Sequence, residues 1–372
     1  MKAEQKTLFL QIALFFVTIA TTTLSGTEWI YGRSLLDNTG NWVSWNKIWN
    51  GLRYSLPFLG ILTVHEFGHF LVARRNKVNV SLPYYIPFWF GFSLSIGTFG
   101  AFIRIKSKNL TNKQFFDIGV AGPLAGFVVT LGVLWYGFTH LPPIEYIFSI
   151  HEEYAKYGKD FAKYVYKDVG NALYLGDNLI FRFFETYVAD PERVPPKYEM
   201  MHYPYLFAGY LALFFTSLNL IPIGQLDGGH ILYGLVGHRW HSFISKVLFI
   251  AFIFFAGLGV SHPHMPFEYS LLTFAVYVLF LFATLRSAFS STTNRWMIAV
   301  SIASVQFLLL HLFPHLKGYP NWLLFAFILG RFLGVEHPHV AHEKMGIGRK
   351  VLGWISLVIF ILCFSPQPFV TD

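Results

Sequence analysis

The sequence predicts an all-α polytopic membrane protein with one small β-hairpin between its second and third spans, and three observations lead there. Of the 372 residues, 54% are hydrophobic and only 13% charged, whereas an ordinary soluble domain carries roughly 25% charged residues. Apolar windows of roughly 17–25 residues, the length that crosses about 30 Å of hydrocarbon, recur eight or nine times. Between two of these windows one stretch breaks the pattern with prolines, glycines and residues that alternate between polar and apolar.

The first apolar run, 7–25, follows Lys2 and Lys6. It runs on through Thr21, Thr22 and Thr23 without a small-residue cleavage site, so it reads as a retained signal-anchor helix. Further runs lie near 52–73, 116–138, 206–224, 243–260, 268–285, 297–313, 320–334 and 350–365. The eighth is short enough for a re-entrant segment. Between the second and third runs, Val80 to Phe92 is aromatic and punctuated by proline, and Ser93 to Gly97 alternates. Gly100 then leads into Ala101-Phe102-Ile103-Arg104-Ile105-Lys106, which alternates again, so this region reads as two strands with glycine turns. Open sheet edges cannot face lipid, so the hairpin belongs inside the protein or at the aqueous boundary. The stretch 139–205 is the one sizeable polar insertion. Tyr154, Tyr157, Lys163, Tyr164 and Lys167 suggest short amphipathic helices on the membrane surface, serving as a lid or as a plain linker. The domain reading is an N-terminal anchor and loop (1–50), a core (51–240, with the insertion 139–205) and C-terminal transmembrane helices (241–372).

Charge sets the orientation. With the N-terminus in the cytosol, the segments 1–6, 74–115, 237–246, 286–296 and 331–350 lie inside and hold 17 of the 28 Lys and Arg residues, as the positive-inside rule asks. The formal charge of +8 is then a matter of membrane orientation. No arginine-rich stripe or nucleic-acid module is present, so nucleic acid is not an expected partner. A single cysteine, Cys363, excludes an intramolecular disulfide and a cysteine-rich metal site.

The strongest local signal is His65-Glu66-Phe67-Gly68-His69, inside the second run. Residues four apart share a helix face, so both imidazoles can reach one ion. Neutral histidine nitrogens suit zinc, and a catalytic site keeps one position open for water. Glu66, beside the pair, is placed to move a proton between that water and a leaving amine. Chance alone produces the motif in roughly 2% of chains of this composition. Two histidines and a carboxylate deep in an apolar helix are costly unless they face a polar interior.

A third ligand must come from elsewhere. The fourth run closes in Asn219-Leu220-Ile221-Pro222-Ile223-Gly224-Gln225-Leu226-Asp227-Gly228-Gly229-His230. Pro222 breaks the helix, and the glycines permit irregular backbone where it lines a cavity. Asp227 is the one carboxylate in this region, and the charge bias places it at the cytosolic end of its span, level with His65 and His69. His230 is the rival candidate. Asn219, three residues before the break, can hydrogen-bond a substrate backbone or a developing oxyanion, or tie off backbone groups that Pro222 frees.

These motifs, together with Ala121-Gly122-Pro123-Leu124-Ala125-Gly126, resemble the site-2 protease family of intramembrane zinc metalloproteases (peptidase family M50). The likeness is to the branch without a PDZ domain that includes the plastid members, and it covers roughly residues 50–240. It implies a three-helix catalytic core with one Zn2+ per chain, bound by His65, His69 and Asp227. It further implies Glu66 as general base, Asn219 as a substrate-steadying residue, and membrane-anchored proteins as substrates. The hairpin near 93–106 would receive the unwound substrate as an added strand. Gly122 and Gly126 read as close helix packing. The short N-terminus points to a bacterial cytoplasmic membrane, with the active site toward the cytosol. Two other functions compete: an ion or metal transporter, against which no paired discontinuous helices stand in corresponding halves, and a catalytically silent relative that acts as a membrane chaperone. His262-Pro263-His264 and His337-Pro338-His339, with His342 and Glu343, could suggest a second metal site, but proline-flanked loop histidines are expected to be solvated or peripheral.

Overall fold

Twenty-nine consecutive residues, Ala3–Tyr31, form the first helix, α1. The computed structural model describes residues 3–36, 45–91, 95–167, 172–264 and 266–371. After α1 come α2 (Leu52–Arg75), the strands β1 (Tyr84–Phe88) and β2 (Gly97–Phe102), and α3 (Asn112–Thr139). The insertion holds short helical turns, the strand β3 (Leu173–Leu175) and α4 (Leu179–Tyr187). Then follow α5 (Pro204–Leu220), α6 (Asp227–Gly257), α7 (Phe267–Thr284), α8 (Thr292–Leu312), α9 (Trp322–Ile328), α10 (Ile347–Cys363) and the strand β4 (Phe369–Thr371).

Among the described residues, six helices are long and apolar enough to cross a membrane: Glu4–Tyr31, Trp49–Arg75, Asn112–Thr139, Asp227–Gly257, Phe267–Ser287 and Thr292–Leu312. The protein is therefore an integral membrane protein of all-α class, with only two-stranded sheets among the described residues. Pro204–Leu220 and Trp322–Leu333 are shorter apolar helices. The fourth run falls short of its expected length for a clear reason. Proline disfavours helix at the residue before it, and α5 stops at Leu220, two residues ahead of Pro222. Asp227 does not close that span. It opens α6, a 31-residue helix that starts well before the expected run 243–260 and takes in the stretch ahead of it. The polar segment expected at 237–246 falls within α6, marked by a break in helical geometry at Gly237 (φ 78), a conformation glycine adopts without a Cβ penalty.

The chain divides into two compact units, 1–108 with 120–219 and 358–372, and 109–119 with 220–357. In the first, β1 and β2 pair antiparallel, with Tyr84 opposite Phe102 and Phe88 opposite Gly97. A hairpin between the second and third spans is therefore present, but not at the expected 93–106: β2 runs through Gly100 instead of turning there, and its partner lies at 84–88. Phe92, Ser93 and Leu94 lie outside the described residues. Thr21 donates its hydroxyl to the Gly97 carbonyl (2.7 Å), which ties α1 to β2. The insertion carries the expected short helices and its own buried residues, among them Ile147, Phe161, Phe181 and Phe184. A second sheet, unforeseen from sequence, pairs Leu173 with Thr371 and Leu175 with Phe369.

The second unit is held by α6 to α9 and the loop that follows them. Arg349 grips Asp117 with two hydrogen bonds, of 2.6 and 2.9 Å. His337 corrects the expectation of a solvated or peripheral loop histidine: it is 2% exposed. The loop 334–346 folds back against its unit, where the Val340 N–H donates to the Tyr233 hydroxyl (3.4 Å). The His337 ring stacks on Tyr233, with centroids 4.1 Å apart.

Candidate metal centre

His65, Glu66 and His69 are all buried within α2, at 6%, 4% and 6% exposure. The helical repeat sets the two imidazoles one turn apart on one face, and their Nε2 atoms stand 3.0 Å apart. Two ring nitrogens so close can share a cation. Asn219, at the end of α5, brings its Nδ2 to 3.4 Å from Nε2 of His65. The two predicted histidines and the predicted asparagine therefore meet in the first unit.

The glycine motif of α3 does more than let helices approach. Gly68 of α2 faces Ala121, whose carbonyl oxygen would lie 2.7 Å from an added Cβ, and that is close helix packing as expected. At Gly122, however, a Cβ would fall 2.2 Å from Nε2 of His69. At Gly126 it would fall 3.1 Å from Cβ of His65. Both glycines thus leave room for the imidazoles themselves, which the sequence shows only as spacing.

A small cavity of about 20 Å3 lies beside the pair, lined by His65, Asn219, Phe58, Thr216 and Gly100. That is room for about one water. Gly100 belongs to β2, so the hairpin borders the same space as the first histidine.

Asp227 lies in the second unit as the first residue of α6. A carboxylate there sits at the positive end of the helix dipole. The turn before it leaves no space for side chains: a Cβ on Gly228 would lie 2.0 Å from the Leu220 carbonyl oxygen, and one on Gly229 2.2 Å from that of Gly224. Gly224 itself has φ 61. His230, the rival ligand, has its Nδ1 2.8 Å from Nε2 of His337 and its ring stacked on Phe115.

The family model of Peptidase family M50 matches residues 54–258. Among curated proteins, the probable zinc metalloprotease EGY2, chloroplastic, of Oryza sativa subsp. indica is 29% identical over 204 residues, 53% of this chain and 32% of its own length. The probable zinc metalloprotease EGY1, chloroplastic, of Oryza sativa subsp. japonica is 32% identical over 185 residues, 48% of this chain and 27% of its own. Its namesake from Arabidopsis thaliana is 30% identical over 185 residues, 48% of this chain and 28% of its own. The matched stretch thus spans about a third of the length of these relatives.

Proposed function

The chain belongs to peptidase family M50, and from that premise we propose that it is an intramembrane zinc metalloendopeptidase acting on membrane-anchored proteins. It would hydrolyse peptide bonds in or next to their transmembrane segments. The observation that carries this reading is the pair of buried imidazoles 3.0 Å apart in a membrane-length helix, with Glu66 buried beside them.

One zinc ion would be held by His65, His69 and Asp227, two imidazoles and a carboxylate of the kinds zinc takes. The space that Gly122 and Gly126 leave around the imidazoles supports the fit. When bound, zinc polarises the scissile carbonyl and lowers the pKa of water to about 7. Glu66 takes the proton from the attacking water and returns it to the leaving nitrogen. The Asn219 amide donates to the carbonyl oxygen as charge builds there. A helical substrate hides its scissile carbonyl in internal hydrogen bonds, so it must first unwind. The edge of β2, with Gly100 at the cavity wall, offers replacement hydrogen bonds. The lysine and arginine bias supports an active site toward the cytosolic face.

Glu66→Gln tests the mechanism. In proteoliposomes with a single-span test substrate, the variant should keep its zinc and lose cleavage. Cleavage at the wild-type rate would overturn the assignment of the base.

A further inference from the structure

The insertion holds a second cluster of metal-type donors that the hydrolytic reading leaves unused: His151, Glu199 and His202, all within the first unit. His151 stands between two short 3-10 segments, Ile144–Ser149 and Glu152–Asp160. Glu199 precedes the 3-10 turn Met200–His202, which leads into α5. Residues three apart eclipse each other on such a turn, so Glu199 and His202 present their side chains together. Nothing in the spacing brings His151 to them. Only the folded chain does.

The geometry is that of a ligand set. Nε2 of His202 lies 3.4 Å from Oε2 of Glu199, Nε2 of His151 lies 3.7 Å from the same oxygen, and the two Nε2 atoms are 3.5 Å apart. The nearest point equidistant from the three atoms lies in their plane, about 2.0 Å from each, which is the zinc–nitrogen and zinc–oxygen bond length.

The surroundings prepare each donor. Nδ1 of His202 donates to the carbonyls of Trp29 (2.9 Å) and Ile30 (3.0 Å), acceptors left over where α1 ends. That bond puts the proton on Nδ1 and leaves the lone pair on Nε2, the outer-sphere arrangement typical of ligating histidines. Glu153 sets its carboxylate 3.6 Å from Nδ1 of His151. Tyr166 donates its hydroxyl to Oε1 of Glu199, fixing the carboxyl group. The other oxygen, Oε2, has no hydrogen-bond partner among the described residues, although Glu199 is only 2% exposed. An orphaned carboxylate oxygen facing two imidazole nitrogens is costly, and a cation is what those three atoms share a use for. His151 remains a quarter exposed, which leaves an approach for the ion and for a water.

We propose that His151, Glu199 and His202 form a second metal site, of the zinc class with a fourth position open to water, which staples the insertion to the end of α1. The staple fixes the turn from which α5 starts, and α5 carries Asn219 at its far end.

Metal counting on the full chain in detergent tests this, with zinc as the only added metal. The wild type should hold two zinc ions per chain, His151→Asn one, His65→Ala/His69→Ala one, and the three changes together none. His151→Asn is the informative single variant, because the hydrogen bonds to the end of α1 come from His202 and the fold should survive, as thermal melting would check. Cobalt(II) added to metal-free His65→Ala/His69→Ala protein should give the visible absorption of a four-coordinate ion, and Glu199→Gln in that background should abolish it. Equal zinc in the wild type and His151→Asn, or no cobalt spectrum, would overturn the second site. Two ions retained in His65→Ala/His69→Ala would instead overturn the hydrolytic centre, so the two failures are distinguishable.

Discussion

Replacing Gly122 by alanine puts a methyl group where the His69 ring now lies. The added Cβ would be 2.2 Å from Nε2, and ordinary contact begins near 3.4 Å, so the ring must retreat by about 1.2 Å. A metal–ligand distance tolerates roughly 0.2 Å, so the retreat takes His69 out of bonding range. Its backbone cannot follow, because α2 and α3 are already in contact at Gly68 and Ala121. Overpacking of this kind costs about 1–3 kcal/mol. If all of it falls on the metal-bound state, zinc is weakened by about 5- to 150-fold. Gly126→Ala should do much less, since its Cβ would meet Cβ of His65 at 3.1 Å and a shift of a few tenths of an ångström relieves it. Gly132→Ala, on the same helix with open space around it, is the control. Competition with a chelator of known affinity, read in detergent for all three variants, gives the ranking. Undiminished zinc affinity in Gly122→Ala would refute the claim that this glycine makes room for a ligand.

Three further changes separate the parts of the site. Asn219→Ala should keep zinc and lower the cleavage rate about 100- to 1,000-fold, the usual cost of one oxyanion donor; an unchanged rate in a single-turnover assay would remove Asn219 from the mechanism. Gly100 has open space around it but φ 101, so Gly100→Ala should strain β2 by about 1–3 kcal/mol. If β2 receives the substrate, KM rises while zinc content stays constant, whereas equal KM in both proteins would argue against strand addition. Gly228→Ala would press a methyl to 2.0 Å from the Leu220 carbonyl and should lower the melting temperature clearly, which a thermal scan in detergent would show or deny.

The parts of the protein legible in sequence are those whose signal is local. The pair His65 and His69 follows from helical spacing alone, and the hairpin from alternation and glycine. The break after α5 is visible in Pro222, yet the same stretch misplaces Asp227. The glycines around it mark irregular backbone but not which helix claims the carboxylate, and α6 does. His337 defeats sequence reasoning because a histidine beside proline in a loop usually meets water. Here the loop folds back onto Tyr233, a contact between residues about a hundred positions apart. The trio His151, Glu199 and His202 has no sequence signature for the same reason. The Glu199 and His202 pair is ordinary, and the third member arrives through the folding of the insertion.

The sheet that joins β3 to β4 also works as a parity check on membrane topology. Two strands in one ladder lie on one face of the bilayer, so the chain between Leu175 and Phe369 must cross an even number of times. Among the described residues, six apolar helices, α5 to α10, lie in that interval, and all six crossing satisfies the rule. If α9 alone dipped in and returned, five crossings would leave the paired strands on opposite faces. The short α9 with its π turn, about 18 Å long by helical rise, must then complete its passage with non-helical flanks sheltered by protein, or else a second helix of the six must also turn back. The bonds from His202 to the end of α1 obey the same rule, since α2 and α3 make two crossings between them. Reporters inserted after α8 and after α9 would count the remaining crossings directly.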